Sequence, residues 1–215
     1  MTQSDREGFA AFLLRMRGVG IDRRDLMTAF ELTPRRSFVP TQWHGDAWSQ
    51  GMLPIECGEA IEGIDLQARV LSALDLKPGH KVLEIGTGSG YTAAVLSRMV
   101  GRVISLDRYR TLIELASQRL EALELSNVLL RQADGRQGLA AEGPFDRIVA
   151  WAAYAEHPRH LVEQLSTGGI AVAAIGPAED KQTLAKLSKI GSRFEREEIA
   201  QVRLQPLSEG MAASI

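Results

Sequence analysis

A glycine-rich segment is the clearest candidate in the sequence for a ligand-binding loop. It lies between an apolar run typical of a buried strand and a pattern typical of a helix, and it reads Glu84-Ile85-Gly86-Thr87-Gly88-Ser89-Gly90. Glycines at such a junction let the backbone approach a ligand, and the start of a helix presents free N–H groups. The overlapping segment 88–93 also fits the G-x-G-x-x-A pattern of dinucleotide-binding loops. The loop alone therefore leaves more than one cofactor class open.

The charge of Glu84 distinguishes between two of these cofactor classes. At the end of a strand beside the loop, a carboxylate would repel the pyrophosphate of a nicotinamide dinucleotide. S-adenosylmethionine carries a sulfonium and an ammonium group instead, and a carboxylate attracts both. Two unit charges about 4 Å apart interact by roughly 4 kcal/mol at an effective dielectric of about 20. The sequence therefore favours S-adenosylmethionine, with S-adenosylhomocysteine as its product, over a nicotinamide cofactor.

Two further acids follow the next two predicted strands. Asp107 ends the second strand, where a carboxylate can accept both hydroxyl groups of a ribose, and Asp134 ends the third, where an adenine edge would lie. Ligands of open α/β sheets bind at this edge of the sheet. With their neighbours Arg108 and Gly135, these acids complete the predicted cofactor site. Each acid also has an alternative structural role, Asp107 as a helix N-cap and Asp134 as a turn residue.

The hydrophobic pattern around these residues predicts the elements that position them. Strands are expected at 82–85, 103–106, 128–130, 145–150 and 170–175, and helices at 91–99, 112–123 and 159–165. Strand and helix alternating in steps of this size predict parallel βαβ units, and hence an open, doubly wound α/β sheet. The tail from Thr183 to Leu207 is typical of an antiparallel hairpin that turns at Gly191-Ser192.

The part of the chain before residue 77 is predicted to be a helical cap with a long loop. Apolar residues at helical spacing predict a first helix: Phe9, Phe12, Leu13 and Met16. A second, short helix is expected with Asp22 as its N-cap, followed by an extended connector at 38–40. Residues 41–63 show neither helical nor strand period, which is usual for a functional loop. We therefore expect N-terminal helices and a substrate-side loop at 1–76 and a cofactor-binding domain at 77–215.

Composition and charge limit the class of protein. The 215 residues carry 25 basic and 27 acidic side chains, a net charge of −2, so no nucleic-acid partner is expected. No apolar run reaches the roughly 20 residues of a membrane helix, so no membrane association is expected. The single cysteine, Cys57, excludes an internal disulfide and a cysteine-based zinc site, and His157 and His160 lack a third ligand, so no metal is expected. A soluble, cytoplasmic protein is predicted, and its oligomeric state stays open.

Several segments together resemble the protein-L-isoaspartate O-methyltransferases. Residues 82–91 resemble the first motif of that family, and Arg35 to Pro40 resemble its segment ending in Phe-Val-Pro. Leu53-Pro54-Ile55 with Gly58 is similar to the family's loop before the catalytic segment. Further matches follow in the same order at Asp134-Gly135, 145–149, Gln164-Leu165, Gly168-Gly169 and Pro206-Leu207.

This resemblance implies a seven-stranded class I methyltransferase fold with extra N-terminal helices. It also implies an enzyme that methylates the isoaspartyl carboxylate of damaged proteins, so that proteins or peptides with isoaspartyl residues are the expected partners. The nucleophile, a carboxylate with an unperturbed pKa of about 4, is ionised at neutral pH. No general base is therefore required, and we expect catalysis by positioning of the reacting groups.

The chain departs from the family in the segment expected to be catalytic. The family reads approximately Gly-Gln-Thr-Ile-Ser there, and this chain reads Gly58-Glu59-Ala60-Ile61-Glu62. Ala60, Ile61 and Glu62 are expected to border the point of methyl transfer, with Glu62 in place of the serine. Glu62 either turns away, or is protonated through burial, or serves as a base or cation-binding group in a relative with another substrate. Its structural alternative is a solvated loop glutamate, and that of Trp151 is a core or pocket-wall aromatic.

Three other functions stay open at this point. A methyltransferase of different specificity would share the cofactor site and differ around Glu62. A nicotinamide oxidoreductase is disfavoured by the charge of Glu84. A catalytically silent protein that binds the cofactor or a partner is consistent with the loss of the serine.

Overall fold

Seven strands form the central sheet of the computed structural model, which describes residues 2–212. The helices are α1 (Gln3–Gly18), α2 (Arg24–Glu31), α3 (Ile64–Ala73), α4 (Tyr91–Ser97), α5 (Arg110–Glu121) and α6 (Arg159–Glu163). The strands are β1 (Leu53–Pro54), β2 (Ala60–Ile61), β3 (Lys81–Ile85), β4 (Arg102–Asp107), β5 (Val128–Gln132), β6 (Phe145–Tyr154), β7 (Leu165–Ile175), β8 (Gln182–Ile190) and β9 (Arg193–Val202). The predicted seven-stranded α/β architecture is confirmed.

The order of the strands places a ligand-binding edge at β3. The sheet runs β5-β4-β3-β6-β7-β8-β9, so the chain moves outward from β3 to β5 and then returns to the other side of β3. β3 pairs in parallel with both β4 and β6. Ligands of such sheets bind at the carboxyl ends of the strands where the order reverses. β8 and β9 complete the sheet as the predicted antiparallel hairpin, with Ile190 paired to Arg193 across the turn.

Alternate residues of the central strands belong to two hydrophobic clusters. On β3, Val82 belongs to the cluster that also contains the buried residues of α1, α2 and α3, whereas Leu83 belongs to the other cluster. This alternation follows because successive side chains of a strand point to opposite faces of the sheet. Glu84 therefore faces the same side as Val82, toward the N-terminal helices.

The division of the chain near residue 77 stays a prediction. Leu74 and Leu76, just before that point, belong to the same cluster as Val82 and Val103 after it. The outer ends of the two predicted ranges, residue 1 and residues 213–215, lie outside the described part of the chain.

Two predictions for the N-terminal segment are wrong in detail. Helix α2 has Arg23, not Asp22, at its N-cap and no side-chain cap. Arg23 instead donates to the Asp25 carboxylate (2.6 Å) and to the Leu76 carbonyl (3.0 Å), and these contacts fix the start of the helix. Phe38, expected in an extended connector, ends a 3-10 turn because its buried ring packs edge-on against another aromatic ring, with 5.4 Å between the ring centroids.

Residues 41–63 contain more regular structure than the sequence indicates. Two 3-10 turns, Thr41–Asp46 and Glu56–Gly58, lie in this segment, as does the antiparallel hairpin of β1 and β2. The hairpin strands have two residues each, which is too short for a strand period to be visible. Helix α3, which follows directly, was also not among the predicted elements.

Gly63 sets the junction between β2 and α3. A Cβ atom at this position would lie 1.9 Å from the carbonyl oxygen of Gln50, a backbone atom that a side-chain rotation cannot move. The chain can therefore enter α3 at this point only with glycine, unless the backbone shifts.

Substituting Gly63→Ala should destabilise the protein. We expect a loss of about 2 kcal/mol in the free energy of unfolding, since forced overpacking costs roughly 1–3 kcal/mol. Urea denaturation measures the loss. Gly45→Ala is the matched control, because a Cβ at Gly45 meets no atom within 4 Å. Equal stability of the two variants would contradict this account of the junction.

Candidate functional site

A cleft of about 290 Å³ opens at the carboxyl ends of the central strands. It is lined by the ends of β3, β4 and β6, the residues after β5, the hairpin of β1 and β2, and the segment 205–208. Six residues predicted for the site line this cleft: Ala60, Gly86, Gly88, Asp107, Arg108 and Gly135. The structure therefore has a cleft at the predicted edge of the sheet, and Gly86 and Gly88 of the glycine loop line it.

A second, smaller cavity of about 30 Å³ lies next to the cleft. The two share four lining residues: Ala60, Gly86, Gly88 and Trp151. Three more of the predicted residues, Ile61, Glu62 and Thr87, line the small cavity. Glu84, Gly90 and Asp134 line neither, so the structure separates the predicted set into wall residues and supporting residues.

Glu84 lies beneath the glycine loop with no exposed surface. Its carboxylate accepts hydrogen bonds from the hydroxyls of Ser105 (2.6 Å) and Thr92 and from the indole N–H of Trp151 (3.0 Å). The register of the sheet explains this arrangement, because Ser105 is the partner of Glu84 on β4, and Trp151 lies two residues after its partner Val149 on β6. One carboxylate thereby joins β3, β4, β6 and α4.

Glu84 lines neither cavity, and its assignment to the cofactor site stays a prediction. Burial raises the pKa of Glu84 to about 7, although the hydrogen bonds from Ser105, Thr92 and Trp151 oppose the shift. This carboxylate is enclosed by protein on all sides and contacts the elements that hold the glycine loop. The expectation that Trp151 is a pocket-wall aromatic is confirmed, because Trp151 lines both cavities.

Asp107 connects the end of β4 to the glycine loop. Its carboxylate accepts from the backbone N–H of Gly88 (2.8 Å) and of Tyr109 (3.0 Å), and burial raises its pKa. The N-cap of α5 is Tyr109, so the alternative reading of Asp107 as the helix cap is wrong. Asp107 lines the cleft, where its oxygens have remaining capacity to accept hydrogen bonds.

Asp134 lies behind the wall of the cleft. One carboxylate oxygen accepts from the N–H of Arg136 (2.9 Å) and the other from the N–H of Gly210 (2.8 Å). The turn role considered for this residue is thus the one observed, and its neighbour Gly135 lines the cleft. The adenine contact expected of this pair stays a prediction. A Cβ at Gly135 would lie 2.4 Å from Ile85 Cγ2, so this glycine is also required for packing.

Gly86 and Gly90 both have positive φ angles but serve different purposes. At Gly86 (φ +92°) a Cβ would point at Trp151 and lie 3.2 Å from its Cβ, which would narrow the site. At Gly90 (φ +85°) a Cβ would lie 2.9 Å from the Cβ of Ala116 on α5. Gly86 therefore keeps the site open, whereas Gly90 lets the loop pack on a helix.

Glu62 faces the small cavity and is 9% exposed. The alternative of a solvated loop glutamate is therefore wrong. Burial raises its pKa to about 7, and the positive charge of Arg35 opposes the shift. Of the possibilities considered from the sequence, burial with partial protonation near neutral pH is the one that this environment supports.

Arg35 is a site residue that the sequence could not place. It is fully buried, and its guanidinium donates to the backbone oxygen of Glu62 (2.6 Å) and to the side chain of Gln67. The same group lies over the ring of Tyr91, 4.6 Å from the centroid. Two other arginines of the N-terminal segment lie elsewhere, since Arg36 donates to His44 (2.9 Å) and Arg69 lines a separate surface groove.

Glu59, Tyr109 and the segment 205–208 also line the cleft without having been assigned to the site. Signals for two of them were present, because Glu59 lies in the segment expected to be catalytic and Pro206-Leu207 matches the resemblance. Within residues 2–212, no group of three or more His, Cys, Asp or Glu side chains could hold a metal ion. No helix in the same range is long and apolar enough to cross a membrane.

Comparison with known sequences identifies close relatives over nearly the whole chain. The profile of the protein-L-isoaspartate(D-aspartate) O-methyltransferase family matches residues 10–212. The protein-L-isoaspartate O-methyltransferase of Rhizobium meliloti is 42% identical over 200 residues, covering 93% of this chain and 98% of that protein. That of Azorhizobium caulinodans is 42% identical over 212 residues, covering 99% and 98%.

Solved structures share the fold. One is a protein from Plasmodium falciparum assigned to the same enzyme family and solved in complex with S-adenosyl-L-homocysteine, with a TM-score of 0.77, 21% identity, and coverage of 92% of this chain and 97% of that one. Another protein-L-isoaspartate O-methyltransferase has a TM-score of 0.81 and 24% identity, covering 94% and 67%. At these identities the likeness concerns the architecture.

The buried position of Glu84 predicts an unusual dependence of stability on pH. Its pKa of about 7 in the folded protein exceeds the unperturbed value of 4.5, so the folded state holds the proton more tightly. The free energy of unfolding should therefore fall as the pH rises from about 4.5 to about 7. Glu62 contributes with the same sign. In Glu84→Gln the fall should be smaller by on the order of 2 kcal/mol.

Denaturation by urea at pH values from about 5 to about 7.5 measures this effect for wild type and Glu84→Gln. Glu31→Gln, at an exposed position on α2, is the control and should keep the wild-type dependence. Parallel curves for wild type and Glu84→Gln would show that the proton on Glu84 is not linked to folding.

Proposed function

This chain belongs to the protein-L-isoaspartate(D-aspartate) O-methyltransferase family, and we propose that it transfers the methyl group of S-adenosylmethionine to the isoaspartyl carboxylate of damaged proteins. The observation that carries the proposal is the 42% identity to a curated enzyme of this name over 93% of the chain. That extent of similarity does not favour the alternative of a relative with another substrate or without activity. The same similarity gives no support to the alternative of a nicotinamide oxidoreductase.

The residues around the two cavities fit this methyl donor. Two residues that line the cavities, Ser89 and Arg108, each carry a buried polar side-chain atom with no hydrogen-bond partner among the described residues, Ser89 Oγ and Arg108 Nε. Asp107 and Glu59 supply carboxylates to the cleft. A ligand with polar groups at both ends and a positive charge between them satisfies all of these groups.

We assign the parts of the donor to parts of the site on this basis. Asp107 would accept the ribose hydroxyls, with Arg108 beside it, and the adenine would lie against Gly135. Gly86, Thr87 and Gly88 would surround the methionyl part, since they line the passage into the small cavity. Glu84, Gly90 and Asp134 would act from behind the walls by fixing the loop, the helix and the tail.

When bound, S-adenosylmethionine supplies a methyl group on a sulfonium, from which an isoaspartyl oxygen takes the carbon while the C–S bond electrons return to sulfur. The products are a methyl ester and S-adenosylhomocysteine, and no proton needs to be moved, because the carboxylate is already ionised at neutral pH. The task of the protein is therefore alignment and exclusion of water. Ala60, Ile61 and Glu62 would border the point of transfer, with Trp151 closing the opposite side.

The location and partners are part of the same proposal. A protein whose single cysteine, Cys57, is free is suited to a reducing compartment such as the cytoplasm. The partners proposed are proteins or peptides with isoaspartyl residues, without nucleic acid, in agreement with the near-neutral net charge of −2.

A transfer assay tests the proposed function. The protein is incubated with methyl-labelled S-adenosylmethionine and either an isoaspartyl peptide or its normal aspartyl counterpart, and only the first should be labelled. Asp107→Ala should label at least about tenfold more slowly at low donor concentration, because hydrogen bonds to a charged group contribute about 1.5–3 kcal/mol. Label in neither peptide, or equal label in both, would contradict the proposal.

A further inference from the structure

An open groove of about 760 Å³ lies on the surface between the N-terminal helices and the end of β9. Its walls are formed by the last turn of α1, by Gln50, by α3 and by the segment 200–203. Four charged residues line it: Arg15, Asp65, Arg69 and Arg203. Three positive charges against one negative charge make this a basic surface on a chain whose net charge is −2.

The one acidic residue of the groove is already paired. The guanidinium of Arg15 donates to both oxygens of the Asp65 carboxylate (2.9 and 2.8 Å), and the side-chain amide of Gln50 donates to one of them (2.7 Å). A bidentate pair of this kind fixes the geometry of both side chains and compensates both charges. The charge that the groove presents to a ligand is therefore that of Arg69 and Arg203.

These two arginines are available to bind a ligand. Arg69 is half-buried on α3 and Arg203 is exposed, and neither guanidinium has a hydrogen-bond or ion-pair partner among residues 2–212. A guanidinium presents several N–H donors in a planar fork, which matches the two oxygens of a carboxylate. The groove is therefore complementary to acidic side chains.

Apolar side chains line the same groove. Met16 of α1 is buried, and Leu66 of α3 and Val202 of β9 are half-buried. A lining that combines apolar groups with unpaired cations fits a polypeptide segment, because such a segment offers apolar stems and acidic groups together.

The groove adjoins the cleft. Arg203 lines the groove and Gln205 lines the cleft, and two residues of chain span at most about 7 Å. Leu66 and Val202 of the groove pack against the cluster that contains Ala153. The N–H of Ala153 in turn donates to the carbonyl of Gln205 (2.8 Å). The same packing thus holds the two surfaces side by side.

We propose that this groove binds the part of the substrate polypeptide next to its isoaspartyl residue, and that Arg69 and Arg203 favour substrates with acidic side chains there. An extended polypeptide advances about 3.3 Å per residue, so that residues about two to four positions from the isoaspartyl residue reach the groove. The inference rests on the proposed function and deepens it by giving the enzyme a preference among damaged sequences.

Three isoaspartyl peptides test this preference. They carry glutamate, glutamine or lysine at the second to fourth positions on both sides of the isoaspartyl residue and are otherwise identical. The assay measures kcat and KM with methyl-labelled S-adenosylmethionine. The kcat/KM ratio of the glutamate peptide to the glutamine peptide should fall about fivefold in the double variant Arg69→Gln/Arg203→Gln, mainly through KM, because exposed ion pairs contribute this much. About 0.5 M salt should lower the wild-type ratio in the same direction.

Charge reversal separates binding from a structural role. In the double variant Arg69→Glu/Arg203→Glu, the lysine peptide should gain on the glutamate peptide, whereas a loss of structure would slow all three peptides alike. Arg102→Gln is the matched control and should keep the wild-type ratio. Arg102 is also exposed, but it lies at the amino end of β4 and lines neither the groove nor the cleft.

The other outcomes overturn the inference. An equal ratio in wild type and in Arg69→Gln/Arg203→Gln would do so and would leave the proposed function intact. A change in oligomeric state of that variant, measured by light scattering, would show that the groove is an interface between copies of the chain. Label in none of the three peptides with wild type would overturn the proposed function as well, which is a distinguishable result.

Discussion

A single buried carboxylate, that of Glu84, determines how the site is assembled. Its three hydrogen-bond donors come from β4, α4 and β6, and the Ser105 hydroxyl among them also contacts Thr87 Oγ1 of the glycine loop at 2.6 Å. Removing any of these donors would leave a buried charge or a buried polar group unpaired, which is costly in a low-dielectric interior. The positions of the loop, of Trp151 and of the first turn of α4 are therefore linked to one another through this group.

The acidic character of the cleft does not come from Glu84, although the charge of Glu84 was the first sign in the sequence of a cationic cofactor. Asp107 and Glu59 line the cleft, and burial raises the pKa of both, with the charge of Asp107 adding to the shift at Glu59. Two partly desolvated carboxylates whose charges repel each other are stabilised by a cation and destabilised by a phosphate. The preference for S-adenosylmethionine over a dinucleotide thus follows from the cleft wall, while Glu84 supports the loop from beneath.

Much of the fold was predictable because its signals are local. The strands β3, β4 and β6 and the helices α1 and α5 have clear hydrophobic periods, and the Gly191-Ser192 turn has the expected residues. The failures concern features set by distant contacts. Whether Asp134 faces the cleft depends on Gly210, which is 76 residues away, and the start of α2 depends on the contact between Arg23 and Leu76. The burial of Glu62 and its proximity to Arg35 arise from the packing of α3 and the 3-10 turn Arg35–Phe38. No local sequence pattern contains that information.

The most direct test of the central claim is a crystal structure of the protein with S-adenosylhomocysteine. The account predicts that the ribose hydroxyls lie within hydrogen-bonding distance of the Asp107 carboxylate and that the methionyl part lies against the glycine loop at Gly86 and Gly88. A ligand bound away from the glycine loop, or a ribose directed away from Asp107, would contradict it.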